Sequence, residues 1–301
     1  ELDAFARLIR HATRELDASI FSDERLEKRI RTKLKNENMR ILSMVFLMTP
    51  QGRYEIHLTA KAGKGQCVST KELARVLSAC TGRIMEPAKD ERRSLGQEYA
   101  TIVFLEMQPY YTLQGVAKIG KGCADISGDS FSMMELPAGK QGAGLSDGMG
   151  SGEEAYRESA MVVDMLEELL EAGFPARTAL EMMNTALVIG REEIRFSTID
   201  ISIFDLYEGT VDILKAGAST TFIRHQNGVE RICSTNLPLG VIQDLEIQSV
   251  HKHLQSGDFV IMITDGIMDA LPVGEQEFLL DTIIRGTSLN NPKEMAHHIL
   301  E

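Results

Sequence analysis

The sequence predicts an α+β protein: a layered sandwich from residue 109 onward, preceded by a long linker helix and a small α/β module. Three observations carry this expectation. Beyond Pro109 many short β runs with Gly-rich turns surround a single helical block, the mark of antiparallel sheets with helices laid on them. That block reads as two helices joined at Gly173, with Pro175 placed for a first helical turn. The chain also opens with apolar residues at steps of three and four, the spacing of a helix seam.

Taken in order, Leu2, Phe5, Ile9, Ala12 and Leu16 predict a first helix that packs on one partner, by self-association or against its own domain. Ser22 and Asp23 supply an N-cap break, and Leu26, Ile30 and Leu34 resume helical spacing, so residues 1–40 are expected to be a linker or dimerisation helix. Residues 41–108 read as a small α/β module of regulatory or structural character. Its strands are Ile41 to Met48, Tyr54 to Ala60 and Tyr99 to Met107, its helix is Thr70 to Ser78, and Gly82 to Gly96 is a loop. In residues 109–301 strands are expected at Tyr111 to Lys118, Ser130 to Leu136, Gly144 to Ser146, Thr198 to Leu206, Thr210 to Lys215, Thr220 to His225, Val229 to Cys233, Glu246 to His253 and Phe259 to Ile263. Asn227-Gly228 marks a two-residue hairpin, and the helices run from Glu153 to Glu171 and Pro175 to Glu192.

Composition narrows the function. A net charge of −12 opposes nucleic acid as a partner, because such binding needs positive fields to displace counterions. If the chain handles phosphate, bound cations must supply the positive charge. The 4 cysteines are scattered without metal-ligand spacing, as in a reducing compartment. No apolar run approaches the roughly 20 residues of a membrane span, so the chain is expected to be soluble. It begins without Met and stops inside a helical pattern, and is expected to be part of a longer protein.

Three aspartates stand out by context: Asp129 in Ser127-Gly128-Asp129, Asp147 in Ser146-Asp147-Gly148-Met149-Gly150, and Asp265 in Thr264-Asp265-Gly266. In both Asp-Gly pairs an apolar run delivers the carboxylate at a strand end, and glycine leaves the adjacent carbonyl open to a ligand. Hard divalent cations take such oxygen ligands, and a binuclear acidic site would repel itself without them. Asp269 is a second-tier candidate that also suits a helix end. Gly115 to Gly122 nearly fits the phosphate-binding pattern G-x-x-x-x-G-K-[ST] but has Gly122 at the last place, so a Gly-rich turn with solvated lysines is favoured. His251 with His253, and His297 with His298, lack a third partner and read as surface. No activated Ser or Cys nucleophile is visible.

These motifs in this order resemble the metal-dependent phosphatases of the protein phosphatase 2C type (PPM family), and within them the branch that serves sporulation in endospore-forming bacteria. The resemblance covers Tyr111 to Glu301 and implies an α/β/β/α sandwich, two Mn²⁺ or Mg²⁺ ions, and hydrolysis of phosphoserine on a protein. By resemblance Asp147 would bridge both ions, the Gly148 carbonyl would hold one and Asp265 the other, and Asp129 would add a carboxylate or hold a bound water. The implied substrate is a phosphorylated anti-sigma factor antagonist, whose dephosphorylation releases a sigma factor. Two departures accompany it: the family's last Asp-bearing motif has no counterpart before Glu301, and the Asp129 motif lacks a basic residue, which leaves phosphate to the metals and to Lys118 or Lys121. The longer family protein carries membrane spans, sits at the cytoplasmic face of the cell membrane and associates with the division machinery. Gly150, Gly152, Glu153, Gly173 and Pro175 are the expected regulatory positions, since a shift of the paired helices would reach Gly148 through them. A catalytically silent scaffold assembled through the first helix is the alternative.

Overall fold

The computed structural model describes residues 23–48, 53–88, 91–120, 127–148, 150, 152–189, 196–234, 236–243 and 245–301. The helix expected over Leu2 to Leu16 lies outside them. The chain divides into two compact units, with the boundary at Gln108 and Pro109.

In the smaller unit, α1 (Glu24–Asn36) starts at Asp23, whose carboxylate accepts from the Arg25 and Leu26 amides at 3.0 Å. The strands β1 (Met39–Met48), β2 (Tyr54–Ala62), β6 (Ala100–Glu106) and β4 (Met85–Pro87) form one antiparallel sheet in the order β1-β2-β6-β4. β3 (Val68–Ser69) and β5 (Ser94–Leu95) pair separately, and α2 (Thr70–Thr81) ends at Gly82 with φ of 74°. The period-two burial of Ile56, Leu58, Ala60 and Ala62 turns one sheet face inward. Leu26, Ile30 and Leu34 of α1 join Leu73 and Leu77 of α2 on that core. Two expectations change here. The helical stretch 24–36 is part of this module's core and not a free linker, and the stretch from Gly82 to Gly96, expected as loop, contributes β4 and β5.

The larger unit is layered. Its main sheet has the order β13-β10-β9-β8-β7, formed by β7 (Asp129–Leu136), β8 (Lys140–Asp147), β9 (Ile199–Asp205), β10 (Thr210–Ala216) and β13 (Ser249–His253). A second sheet, β12-β11-β14, comprises β11 (Thr221–His225), β12 (Gly228–Ile232) and β14 (Phe259–Ile261). On one side α3 (Glu153–Glu171) and α4 (Ala176–Ile189) bury Val162, Leu166, Leu180 and Met183 against Ile199, Ile201 and Leu214. Between the sheets Val211 and Ile213 meet Ile223 and Ile232. On the far side Leu280 and Ile284 of α6 (Gln276–Gly286) cover Phe222. The short α5 (Asp265–Asp269) precedes α6, and α7 (Pro292–Leu300) follows it.

The segment from Tyr111 to Lys118, expected as a strand, forms no ladder. Tyr111 and Leu113 are exposed, and Gly115 lies so close to the Pro292 and Lys293 backbone that a Cβ there would be 2.1 Å from the Pro292 carbonyl carbon. The hairpin of β11 and β12 turns on Gln226 and Asn227, one residue earlier than expected, because His225 pairs with Gly228.

Candidate active site

The three aspartates are brought together by strand register and one helix start. β7 and β8 are joined through the tight turn Pro137–Gly139, and the resulting register pairs Asp129 directly with Asp147. Directly opposed residues share one sheet face, so both carboxylates project to the same side with Cβ atoms about 5 Å apart. Asp265 arrives from the second sheet, just past β14, as the first residue of α5. Thr264 holds the N-cap position there, yet its hydroxyl caps no amide; it donates instead to Asp129 Oδ2 at 3.1 Å. Ser127 Oγ donates to the same oxygen at 3.1 Å.

Asp147 is the middle carboxyl. Its amide donates to Thr198 Oγ1 at 3.0 Å, and its carbonyl accepts from the Thr198 amide at 3.3 Å and Ser197 Oγ at 3.2 Å, which fixes its backbone. Burial pushes its carboxyl up to about 9, helped by hydrogen bonds and like charge from Asp265 and Asp129. Among the described residues no group of three His, Cys, Asp or Glu side chains closes around one point. The carboxyls meet pairwise, at Asp147. A shared proton offsets the repulsion of such neighbours, and divalent cations would do so more strongly, so the donor set fits hard metal ions.

The other expected positions fall into place unevenly. Gly148 is buried, and a Cβ on it would lie 2.1 Å from the Ala155 carbonyl oxygen in the first turn of α3. Gly150 and Gly152 both take positive φ, 95° and 88°, in the approach to α3. Ser159 Oγ ties that helix to the Gly128 carbonyl at 2.5 Å and to Ser130 Oγ at 2.8 Å. Glu153 is exposed and pairs with Arg157 at 2.6 Å. Gly173 turns the chain between the helices with φ of 88°, and Pro175 sits one residue before α4, its carbonyl accepting from the Ala179 amide. Lys118 Nζ donates to the Asp129 carbonyl at 2.6 Å and lies 5.2 Å over the Tyr156 ring. Lys121 lies outside the described residues. Asp269 closes α5, exposed, and His251 pairs with Asp212 at 2.7 Å on the outer strand β13, away from the three aspartates.

Sequence reasoning missed one charged pair beneath this site. Asp200 of β9 and Lys215 of β10 are opposed in register, are 1% and 5% exposed, and share an ion pair with Thr221 hydrogen-bonded to both. Burial pushes the Asp200 carboxyl up and the Lys215 ammonium down, each opposed by the other's charge. The available signal was a Lys and an Asp, each inside an apolar run, equidistant from one hairpin turn.

The model of the family described as stage II sporulation protein E matches residues 137–301. The chain is 31% identical over 278 residues to stage II sporulation protein E of Priestia megaterium, spanning 91% of this chain and 47% of that protein. It is also 31% identical over 277 residues to the Bacillus subtilis (strain 168) protein of the same name, spanning 91% and 33%. The chain thus spans half or less of the length of the curated relatives it matches. A solved structure of the PP2C phosphatase domain and a fragment of the regulatory domain of SpoIIE from Bacillus subtilis aligns with a TM-score of 0.73 and 29% identity, covering 99% of this chain and 87% of that one.

Proposed function

Because the chain belongs to the stage II sporulation protein E family and has the PP2C phosphatase fold, we propose that it is a metal-dependent protein serine phosphatase acting in sporulation. The observation that carries this reading is the in-register pairing of Asp129 with Asp147, with Asp265 touching Asp147 from the second sheet. The substrate is phosphoserine on a phosphorylated anti-sigma factor antagonist, and its dephosphorylation frees a sporulation sigma factor. In the longer protein the enzyme works at the cytoplasmic face of the cell membrane beside the division machinery, and it self-associates through its first residues, where Leu2, Phe5, Ile9, Ala12 and Leu16 keep the spacing of a helix seam. Among the described residues no helix is long and apolar enough to cross a membrane.

Two Mn²⁺ or Mg²⁺ ions, when bound, supply charge screening for the phosphate and a water acidic enough to attack at neutral pH. Asp147 would hold both ions, the Gly148 carbonyl one and Asp265 the other, with Asp129 as a further carboxylate or a partner to bound water. Thr264 and Ser127 keep Asp129 aimed by donating to its Oδ2. Lys118, anchored on the Asp129 carbonyl, adds positive charge beside the phosphate, a role Lys121 shares. No covalent enzyme intermediate is involved. The test is calorimetric Mn²⁺ titration together with phosphate release from a phosphoserine protein. Binding with turnover supports the enzyme; a silent scaffold gives neither.

The Asp147 carboxyl sets a pH dependence. Its value in the folded chain, about 9, lies above its ordinary 3.8, so the folded state holds the extra proton between those limits. Its contribution to stability without cations is therefore complete below about pH 4 and lost as pH rises toward 9. Mn²⁺ binding at pH 7 is expected to expel close to one proton, read as the slope of apparent binding enthalpy against buffer ionisation enthalpy. A slope near zero in the unmodified protein would contradict the assignment.

A further inference from the structure

We infer that Asp200 is a positioning residue for the metal-holding carboxylates, acting through water held in a cavity between the two sheets; this rests on the phosphatase reading above. The register decides its direction. Leu145 pairs with Asp200 across β8 and β9, and Asp200 pairs with Lys215 across β9 and β10, so all three side chains share one sheet face. Asp147, two residues beyond Leu145 on β8, faces the same way. Asp147 and Asp200 are thus diagonal neighbours, at roughly 7–8 Å, too far for a direct hydrogen bond and within the span of one bridging water.

The second observation concerns one oxygen. Asp200 Oδ2 takes both the Lys215 ammonium and the Thr221 hydroxyl, whereas Oδ1, fully buried, has no hydrogen bond of good geometry, the Ile201 amide lying only near enough to favour the charged carboxylate. A buried carboxylate oxygen left without a donor is costly, so it marks a place where something polar belongs. The cavity of about 30 Å³ supplies the room: Asp200, Asp147, Thr198, Thr264 and Asp265 all line it. That space suits one or two waters with several polar partners each. Water there would find a fixed anchor in Asp200, because Lys215 and Thr221 hold its carboxylate at Oδ2 while the side chain shares a sheet face with Asp147 and lines the same cavity as Asp265. Groups of this kind, one contact removed from the ligands, commonly govern metal affinity.

The experiment measures the Mn²⁺ dissociation constant by calorimetry and the melting temperature in chelator. The first variant, Asp200→Leu with Lys215→Met, removes both charges together, an exchange that leaves stability near neutral or improved. The second, Ala218→Val, leaves the ion pair intact and narrows the cavity, which Ala218 also lines. Both are expected to weaken Mn²⁺ binding by about 10- to 100-fold while melting within a few degrees of the unmodified protein. If the paired variant does not fold, Ala218→Val decides alone. Unchanged Mn²⁺ affinity in a folded variant overturns the inference, because a merely structural ion pair would leave it unmoved. An unmodified protein that binds no Mn²⁺ defeats the phosphatase reading and this inference with it; binding in the unmodified protein with unaltered variants defeats this inference alone.

Discussion

Asp147→Asn is expected to lower Mn²⁺-dependent phosphoserine hydrolysis by at least about 10³-fold, because on the proposed reading it removes the carboxylate that would hold the metal, and with it several kcal/mol of transition-state stabilisation. The fold should survive. Asp147 is the crowded member of the trio, its carboxyl pushed to about 9 by burial and by Asp265 and Asp129. Asp147→Asn keeps the shape and removes the charge, so in chelator at pH 8 the variant should melt at or above the temperature of the unmodified protein. Activity and stability then move in opposite directions, the sign of a residue kept for chemistry at a cost to folding. Asp265→Ala should lose activity comparably with less effect on melting, since Asp265 is exposed. Phosphate release and thermal unfolding on the same preparations check both. Retained turnover in Asp147→Asn, or a large fall in its melting temperature, would remove Asp147 from the centre of the mechanism, and retained turnover in Asp265→Ala would remove Asp265.

Much of this centre was legible because its parts sit at element ends. Asp129 opens one β run and Asp147 closes the next, with Pro137-Ala138-Gly139 between them to set a tight turn, so the sequence places both aspartates at the same end of a hairpin. Asp265 was legible by its Asp-Gly context, although it begins a short helix and does not end a strand. What alternation cannot report is whether an extended segment has a sheet edge to join. Tyr111 and Leu113 alternate as a strand would, yet both stay exposed; Tyr110 gives its amide to the Leu206 carbonyl and Thr112 uses its side chain on Gln141. Asp200 and Lys215 were hidden for a related reason. Each looks like an isolated charge in an apolar strand until the hairpin register shows that they face each other. In α1, the seam Leu26, Ile30 and Leu34 revealed an apolar face but not its partner, which is the neighbouring sheet and α2.

Gly148→Ala is expected to damage activity and stability together. The added methyl carbon would lie 2.1 Å from the Ala155 carbonyl oxygen, 2.7 Å from its carbonyl carbon and 3.1 Å from its Cα, all backbone atoms in the first turn of α3. A flexible side chain could swing away, but a helical backbone cannot, so either α3 or the strand end carrying Asp147 must move. Moving α3 disturbs Ser159, whose hydroxyl ties it to the Gly128 carbonyl beside Asp129. Moving the strand end displaces Asp147 itself. A misplacement of about 1 Å costs about 100-fold in rate, and overpacking costs about 1–3 kcal/mol in stability; Gly148→Ala should show both. Gly150→Ala supplies the contrast, because nothing lies within 4 Å of a Cβ there and its φ of 95° imposes only backbone strain. It should lower the melting temperature modestly and leave Mn²⁺ affinity closer to that of the unmodified protein. Ala155→Gly added to Gly148→Ala should restore nothing, since the clash is with the carbonyl group of residue 155 and not with its methyl. Recovery of turnover in that double variant would place the obstruction in the side chain and overturn the account of why glycine follows Asp147.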